Sequence, residues 1–206
     1  MIICIVSRIV TSIFYIEDID SLRFFLSAID FNILEGRPHF PGYPVYCFIL
    51  NVISFITGSI SISFSLIGAF SIFSIIYFSN KIWHLKFKKK SYFLIFLIIF
   101  NPFLWIMSNR YMPDILGLSL LTISTYYFLV YRKYKLKKSY LILAFTIGLL
   151  SGVRISYLPF VLPFIYYFAK QKEIKFFLYL SLSILLWLFP LILMFDFTEL
   201  WQIFIR

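Results

Sequence analysis

Residues 17–45 read EDIDSLRFFLSAIDFNILEGRPHFPGYPV, a stretch that differs sharply from the sequence around it. It holds five of the nine carboxylates, one of the two histidines and three of the eight prolines. The sequence that follows consists mainly of apolar segments separated by short lysine clusters. Polar groups in this density must lie in water. We therefore expect a solvated loop, and the main candidate for a functional site, at one surface of an otherwise apolar protein.

The composition predicts a membrane protein. Of the 206 residues, 62% are hydrophobic and 14% charged, and the mean hydropathy is +0.93. A soluble fold of this size could not bury so much apolar surface. We expect an all-α, polytopic transmembrane helical bundle that forms a single membrane domain over residues 1–206. Residues 17–45 are its extracytoplasmic loop, and residues 60–195 are the remaining transmembrane bundle.

About seven apolar runs are the expected spans, although several fall short of the roughly 20 residues that a helix needs to cross a bilayer. They cover residues 2–16, 60–80, 92–107, 113–131, 139–152, 157–169 and 176–195. The run Pro44–Thr57 is expected to be a re-entrant or interfacial helix. One more crossing there would place the acidic loop on the same side as the lysines of residues 81–90.

The cations divide unequally between the two sides of this arrangement. Thirteen of the 19 fall in residues 81–90, 132–138 and 170–175, and twelve of these are lysine. The positive-inside rule makes those loops cytoplasmic, so the net charge of +10 indicates topology and no nucleic-acid partner is expected. The other six cations are all arginine: Arg8, Arg23, Arg37, Arg110, Arg154 and Arg206. We expect an integral protein of a bacterial cytoplasmic (inner) membrane, with the acidic loop outside.

The loop itself is expected to contain an amphipathic helix followed by a stiff turn. Ser21 is the expected N-cap of a helix over residues 21–31, whose broad apolar face suits the membrane interface. The glycines and prolines of residues 36–44 then end helical structure. The resulting turn holds Arg37, His39 and Tyr43.

Two carboxylates in the loop can carry chemistry. Asp18 and Asp20 lie just past the first span, where partial desolvation can raise a carboxyl pKa and make it a general base. The pair can equally bind a divalent cation such as Mg²⁺, although nothing in the sequence requires a cofactor. The simpler interpretation is that both acids favour a helix N-terminus.

The arginines outside the lysine-rich loops form a second candidate set. Arginine presents a planar fork that matches phosphate oxygens, so Arg23, Arg37, Arg110 and Arg154 can converge on an anionic headgroup. They can also simply pair with the outer carboxylates or with lipid phosphates. Asp114 opens a span close to Arg110, where an acid also complements the helix dipole.

Five segments, taken in order, resemble the GT-C superfamily of integral-membrane glycosyltransferases, which includes the protein O-mannosyltransferases and the aminoarabinose transferase of lipid A. They are EDIDS (17–21), SLRFFLSAIDF (21–31), GRPHFPGYPVY (36–46), NPFLWIMSNRYMPDILGLSLL (101–121) and GLLSGVRISYLPFVLPF (148–164). The proline-rich segment is similar to the HPPGYPL-type segment of bacterial membrane proteins related to the O-mannosyltransferases. The chain departs from the family in having about seven spans, since members usually have more, which indicates a truncated or divergent copy.

The resemblance implies transfer of a sugar from a polyprenyl-phosphate donor to a protein, glycan or lipid acceptor at the outer face. Either Asp18 or Asp20 fills the family's catalytic role, and the Ser and aromatic-rich helix that follow favour Asp20. The expected substrate-binding residues are Arg23, Arg37, His39, Tyr43, Arg110, Asp114 and Arg154. Two alternatives stay open: a transporter or flippase of an anionic lipid, and a non-catalytic, truncated membrane subunit.

Overall fold

The computed structural model describes residues 1–195, and this part of the chain contains helices and no strands. The all-α class is therefore confirmed. The α-helices are α1 (Ile2–Val10), α2 (Ile19–Ser27), α3 (Pro44–Thr57), α4 (Ile60–Phe87), α5 (Tyr92–Ile99), α6 (Pro102–Met107), α7 (Asp114–Tyr134), α8 (Lys137–Val153), α9 (Leu158–Lys170) and α10 (Ile174–Met194), with a 3₁₀ turn at Ile155–Tyr157. The order of the predicted spans puts the tail, residues 196–206, outside the membrane, and this segment falls beyond the described residues.

Three of the described helices are long and apolar enough to cross a membrane: α4, α7 and α10. The helix α3 and the segment Ile155–Lys170 are apolar but shorter. The neighbouring helices pack in the order α4, α7, α8 and α10. Helix α1 and helix α3 lie on α4, and α3 also contacts α8.

Two expected spans differ from the helices found. The run 92–107 is split into α5 and α6, because Pro102 has no N–H to continue a helix and the Asn101 side chain caps the new one by accepting from Leu104 N at 3.1 Å. The run 2–16 is helical only to Val10. Beyond it, Asn109 donates to the Thr11 carbonyl at 2.8 Å and the Tyr111 hydroxyl donates to the Ile13 carbonyl. These side chains replace helical hydrogen bonds.

Arg8, the charged residue inside the first apolar run, faces the interior of the protein. Arg8 is only 1% exposed. Its Nε donates to Ser108 Oγ at 3.0 Å, and its guanidinium lies 4.1 Å from the centre of the Trp105 ring. A buried cation needs partners of this kind, so α1 is fixed against the segment that follows α6.

Helices α8 and α10 approach closely at Gly148. Its carbonyl accepts from Trp187 Nε1 at 2.9 Å, and Ser183 Oγ donates to the Phe145 carbonyl at 2.9 Å. A Cβ at Gly148 would overlap Ser183. Small residues permit such contacts between apolar helices, where side-chain hydrogen bonds add to van der Waals packing.

Gly68, the one glycine of α4, is expected not to tolerate a larger side chain. A Cβ there would overlap the main-chain carbonyl oxygen of Ser108, which cannot move away as a side-chain tip can. We expect Gly68→Val to destabilise the protein by about 1–3 kcal/mol or more, measured by SDS titration of the purified protein. Phe70→Val, on the exposed side of the same helix, is the control. Equal stability of the two variants would contradict the packing argument.

Candidate functional site

Helix α2 begins one turn earlier than Ser21 would place it, which corrects the expected cap. Asp18 is the N-cap, and its Oδ1 accepts from the Ser21 main-chain N–H at 2.7 Å. Aspartate and serine are about equally good N-caps. Asp18 precedes Ser21 and reaches a free main-chain N–H three residues further on, so the helix begins directly after Asp18. Ser21 lies inside the first turn and is buried.

The same helix also ends earlier than residue 31. It stops at Ser27, and the chain then folds back through a pair of main-chain hydrogen bonds between Asn32 and Arg37, both 2.8 Å long. Gly36 supplies the positive φ of +72° that this turn needs;. Phe24 is fully buried against Tyr43 and Tyr46. The apolar face of α2 therefore packs partly on the start of α3.

Arg110 binds the two acids that precede α2. Its Nε lies 2.8 Å from Glu17 Oε2, and its other fork nitrogen pairs with Asp18 Oδ2. Glu17 was not among the expected site residues, although its position next to Asp18 was a signal for it. Asp18 thus has both a helix N-terminus and a guanidinium as partners, and its hydrogen bond to Ser21 is the main reason that its pKa lies below the usual value.

Asp20 faces a different group of residues. Its Oδ1 lies 3.4 Å from Arg23 and 3.6 Å from Nδ1 of His39. The other ring nitrogen of His39 lies 3.0 Å from the Tyr43 hydroxyl. The carboxylate is 48% exposed, so it is open to solvent while it remains next to this chain of polar groups.

Arg154 and Asp114 form a third part of the site, supplied by the α8 C-terminus and the α7 N-terminus. Arg154 donates to Asp114 at 2.9 Å, and the two side chains are 24% and 18% exposed. The Arg154 guanidinium lies 5.8 Å from the centre of the Tyr43 ring. Among the described residues, Arg154 Nε and Asp114 Oδ2 are buried and have no hydrogen-bond partner.

These three groups are close enough to influence one another. Burial raises the pKa of the Tyr43 hydroxyl above its usual value, Arg154 opposes this shift, and Asp114 and Asp20 add to it. Burial alone would lower the pKa of the Arg110 guanidinium, and Glu17, Asp18 and Asp114 together raise it above its usual value. The structure thus brings together Asp18, Asp20, Arg23, His39, Tyr43, Arg110, Asp114 and Arg154 at one end of the bundle. We refer to these eight residues as the polar cluster.

Arg37 does not join the polar cluster. Its guanidinium pairs with Asp30 at 3.1 Å and with Glu35 at 2.7 Å, on the exposed surface of the loop. The hairpin between Asn32 and Arg37 turns this side chain toward carboxylates of its own loop. Proximity along the sequence to His39 gave no sign of this separation.

A metal site requires several carboxylate, histidine or cysteine side chains close together. Within residues 1–195 no set of three or more His, Cys, Asp or Glu side chains is close enough together to hold an ion. Asp18 and Asp20, the two residues considered for a divalent cation, face different partners: Arg110 for the first, and Arg23 with His39 for the second.

We expect His39 to make the stability of the folded protein depend on pH. Burial lowers its pKa below 6.5, with Arg23 and Arg154 acting in the same direction and Asp20 opposing them. The folded protein therefore binds this proton less readily than the unfolded chain, and stability falls as pH drops through 6.5 toward the lower folded pKa. Below that value no further loss comes from this group.

We expect the apparent melting temperature to decline between pH 7.5 and 5.5, and to decline less in His39→Gln. The readout is a thermal unfolding curve in detergent at each pH. The control is His84→Gln, on the lysine-rich part of α4. Asp18 loses its contribution only below its usual value of about 3.8, so it does not interfere in this window;. Parallel curves for wild type and His39→Gln would contradict the assignment.

An apolar cavity of about 520 Å³ lies next to the polar cluster, between α3, α8 and α10. Its walls are almost entirely apolar, with Asn51 as an amide among them: Phe31, Pro44, Val45, Cys47, Phe48, Asn51, Leu149, Leu186, Trp187, Pro190, Leu191 and Met194. Val45 and Trp187 pack at Gly152, two residues before Arg154. The cavity was not anticipated from the sequence, because its walls come from Phe31 of the loop and from three helices far apart in the chain.

Comparison of the chain with models of protein families, with curated proteins and with solved structures finds no match.

Proposed function

We propose that the chain is an integral-membrane glycosyltransferase of the GT-C type, which moves a sugar from a polyprenyl-phosphate donor to an acceptor on the extracytoplasmic face. The observation that carries this proposal is the position of the polar cluster beside the apolar cavity. A donor of this class needs both environments within a few ångströms: cations for its phosphate and apolar walls for its lipid tail.

The reaction assigned to the cluster is a displacement at the anomeric carbon. The acceptor hydroxyl oxygen forms a bond to that carbon while the bond from carbon to the phosphate oxygen breaks. Asp20 takes the hydroxyl proton, and polyprenyl phosphate leaves with the bonding electrons. Support for Asp20 as the base comes from its exposure and from having neutral or cationic neighbours, whereas Asp18 is occupied by the helix N-terminus and Arg110.

The leaving phosphate gains negative charge, and preorganised cations stabilise such charge best in a partly dry site. Arg154 is the leading residue for this role, because its Nε is buried without a partner and Gly152, two residues before it, packs against Val45 and Trp187 of the cavity wall. His39 is kept neutral by its lowered pKa and can orient a hydroxyl of the sugar or acceptor;. Arg23 lies beside Asp20 and can reach the same space.

The membrane arrangement that goes with this proposal has about seven spans, with α2 at the interface and α3 re-entrant. The polar cluster then lies outside a bacterial inner membrane and the lysine-rich loops lie inside. Helices α4, α7 and α10 supply three of the crossings. The remaining crossings come from shorter helices, which suit a span only where the bilayer thins or neighbouring polar groups cover the ends.

A flippase for an anionic lipid is the second candidate, because the same pairing of cavity and arginines can hold a lipid that is moved without being cleaved. The two functions are distinguished in proteoliposomes loaded with polyprenyl-phosphate sugars carrying a label in the sugar and mixed with a cell-envelope extract as acceptor. A transferase converts the donor into free polyprenyl phosphate, whichever acceptor is used. A flippase changes the leaflet of the donor and leaves it intact, and that result would overturn the transferase proposal.

A further inference from the structure

A second cavity, of about 790 Å³, lies at the opposite end of the bundle from the polar cluster. It is bounded by the last turns of α4, the start of α5 and the end of α7. Its lining residues are Ser79, Ile82, Trp83, Leu85, Lys86, Phe87, Leu94, Leu129, Arg132 and Lys133. We call it the basic cavity, because three cations stand among its lining residues and no carboxylate does.

The cations of the basic cavity are only partly used by the protein. Lys133 donates to the Leu85 carbonyl at 3.0 Å and so joins the ends of α7 and α4. Lys86 and Arg132 make only cation–π contacts within the described residues, at 5.2 Å to Phe87 for the first and at 5.9 Å to Phe128 and Tyr167 for the second. Both side chains are exposed, so their charges are available to a partner.

The neighbouring basic loops contain too few carboxylates to neutralise these cations. Thirteen cations lie in the three lysine-rich loops, residues 81–90, 132–138 and 170–175, and Glu173 is the one carboxylate in them. That carboxylate accepts from the Tyr131 hydroxyl at 3.1 Å and is therefore already bound. The interior of the basic cavity is apolar, with Ile82, Leu85 and Leu94 among its walls. Such a cavity fits a ligand that is anionic at one end and apolar at the other.

The length of α4 places the cations at the right depth. Its 28 residues extend about 42 Å, whereas the hydrocarbon core of a bilayer is about 30 Å thick;. The surplus is at least two turns, and both lysines of the helix, Lys81 and Lys86, lie within its last eight residues. Trp83 and Phe87, whose rings are 4.3 Å apart, stand where aromatic residues mark the membrane interface.

We propose that the basic cavity binds one anionic phospholipid from the surrounding membrane. The headgroup phosphate lies among Lys86, Arg132 and Lys133, and one acyl chain enters the apolar part of the cavity beside Leu94. Basic pockets between membrane helices bind anionic headgroups by this combination of charge and apolar contact. The inference is independent of the sugar-transfer proposal, because it uses other residues at the other end of the bundle.

The test is native mass spectrometry of the purified full-length protein, titrated with phosphatidylglycerol and phosphatidylcholine of identical acyl chains. We expect the first phosphatidylglycerol to bind roughly tenfold or more tightly than phosphatidylcholine, since each cation near an anionic surface contributes severalfold. The triple variant Lys86→Gln/Arg132→Gln/Lys133→Gln is expected to lose this preference. Glycerol phosphate, which has the anion without the acyl chains, is expected not to compete.

Two further variants separate a built site from diffuse attraction. Lys88→Gln/Lys89→Gln/Lys90→Gln removes the same charge from residues that do not line the basic cavity and should keep the preference. Leu94→Trp fills the cavity without changing any charge and should lose it. Equal loss in both lysine-containing triple variants, an unchanged preference in Leu94→Trp, competition by glycerol phosphate, or equal affinity for the two lipids would each overturn the proposal.

Discussion

Replacing Asp20 with asparagine is expected to slow sugar transfer by about 10²–10⁴-fold, the range typical for loss of a general acid or base. The amide has nearly the same shape as the carboxylate and can still contact Arg23 and His39. It cannot accept the proton of the acceptor hydroxyl at neutral pH. The rate constant for release of polyprenyl phosphate should therefore fall, while binding of the donor should change little, because its phosphate lies at the arginines.

The matched control is Asp30→Asn, since Asp30 is a carboxylate of the same loop whose partner is the exposed Arg37. That variant should transfer sugar at close to the wild-type rate. Circular dichroism of both proteins shows whether they remain folded. Unaltered transfer by Asp20→Asn would remove this residue from the mechanism, and equal losses in both variants would assign the effect to the charge of the loop.

Replacing Arg154 with methionine is expected to destabilise the folded protein by about 3 kcal/mol, at the lower end of the range for breaking a buried ion pair. Arg154 and Asp114 are mostly shielded from water, and the change would leave Asp114 without its ion-pair partner. The Arg154 Cβ also packs near Gly117 of α7, so part of the loss comes from the contact between the ends of α7 and α8. The free energy of unfolding is measured by steric trapping in bicelles.

A double-mutant cycle isolates the pair from these other effects. Asp114→Asn alone leaves the arginine unpaired, and Arg154→Met/Asp114→Asn leaves no charge at all. We expect the double variant to be more stable than the sum of the single changes indicates, because the two charges are coupled. Arg37→Met, which removes exposed ion pairs worth roughly 0–1 kcal/mol, is the control. Simple additivity in the cycle would mean that the pair contributes nothing specific.

Local patterns in the sequence were sufficient for the helices whose ends carry strong signals. Helix α3 has the bounds expected for it, because Pro44 fixes its first turn and Gly58, with a φ of +67°, ends it. The lysine-rich end of α4 was expected to lie beyond the helix, but the helix continues to Phe87. Lysine is a good helix former, and charge alone does not stop a helix that has already left the apolar region.

The same reasoning predicted only part of the candidate site. Arg154 was a candidate as one of the outer arginines and Asp114 as an acid that opens a span, and the structure pairs them across 40 positions of sequence. Sequence patterns carry no information on which carboxylate each arginine pairs with. That choice depends on tertiary geometry: Arg110 meets Glu17 and Asp18 because the segment after α6 lies against the end of α1, and Arg37 is retained by its own hairpin.

The four residues that follow α6 reach back to five positions near the start of the chain. Ser108 accepts a hydrogen bond from Arg8, and Asn109 donates one to the Thr11 carbonyl. Tyr111 donates a hydrogen bond to the Ile13 carbonyl, and Arg110 forms ion pairs with the two acids before α2. During synthesis, the first loop therefore cannot adopt its folded conformation until α5, α6 and residues 108–111 have been synthesised and inserted. A nascent chain arrested before residue 108 should expose its amino-terminal loop to protease, and one arrested well beyond residue 111 should protect it.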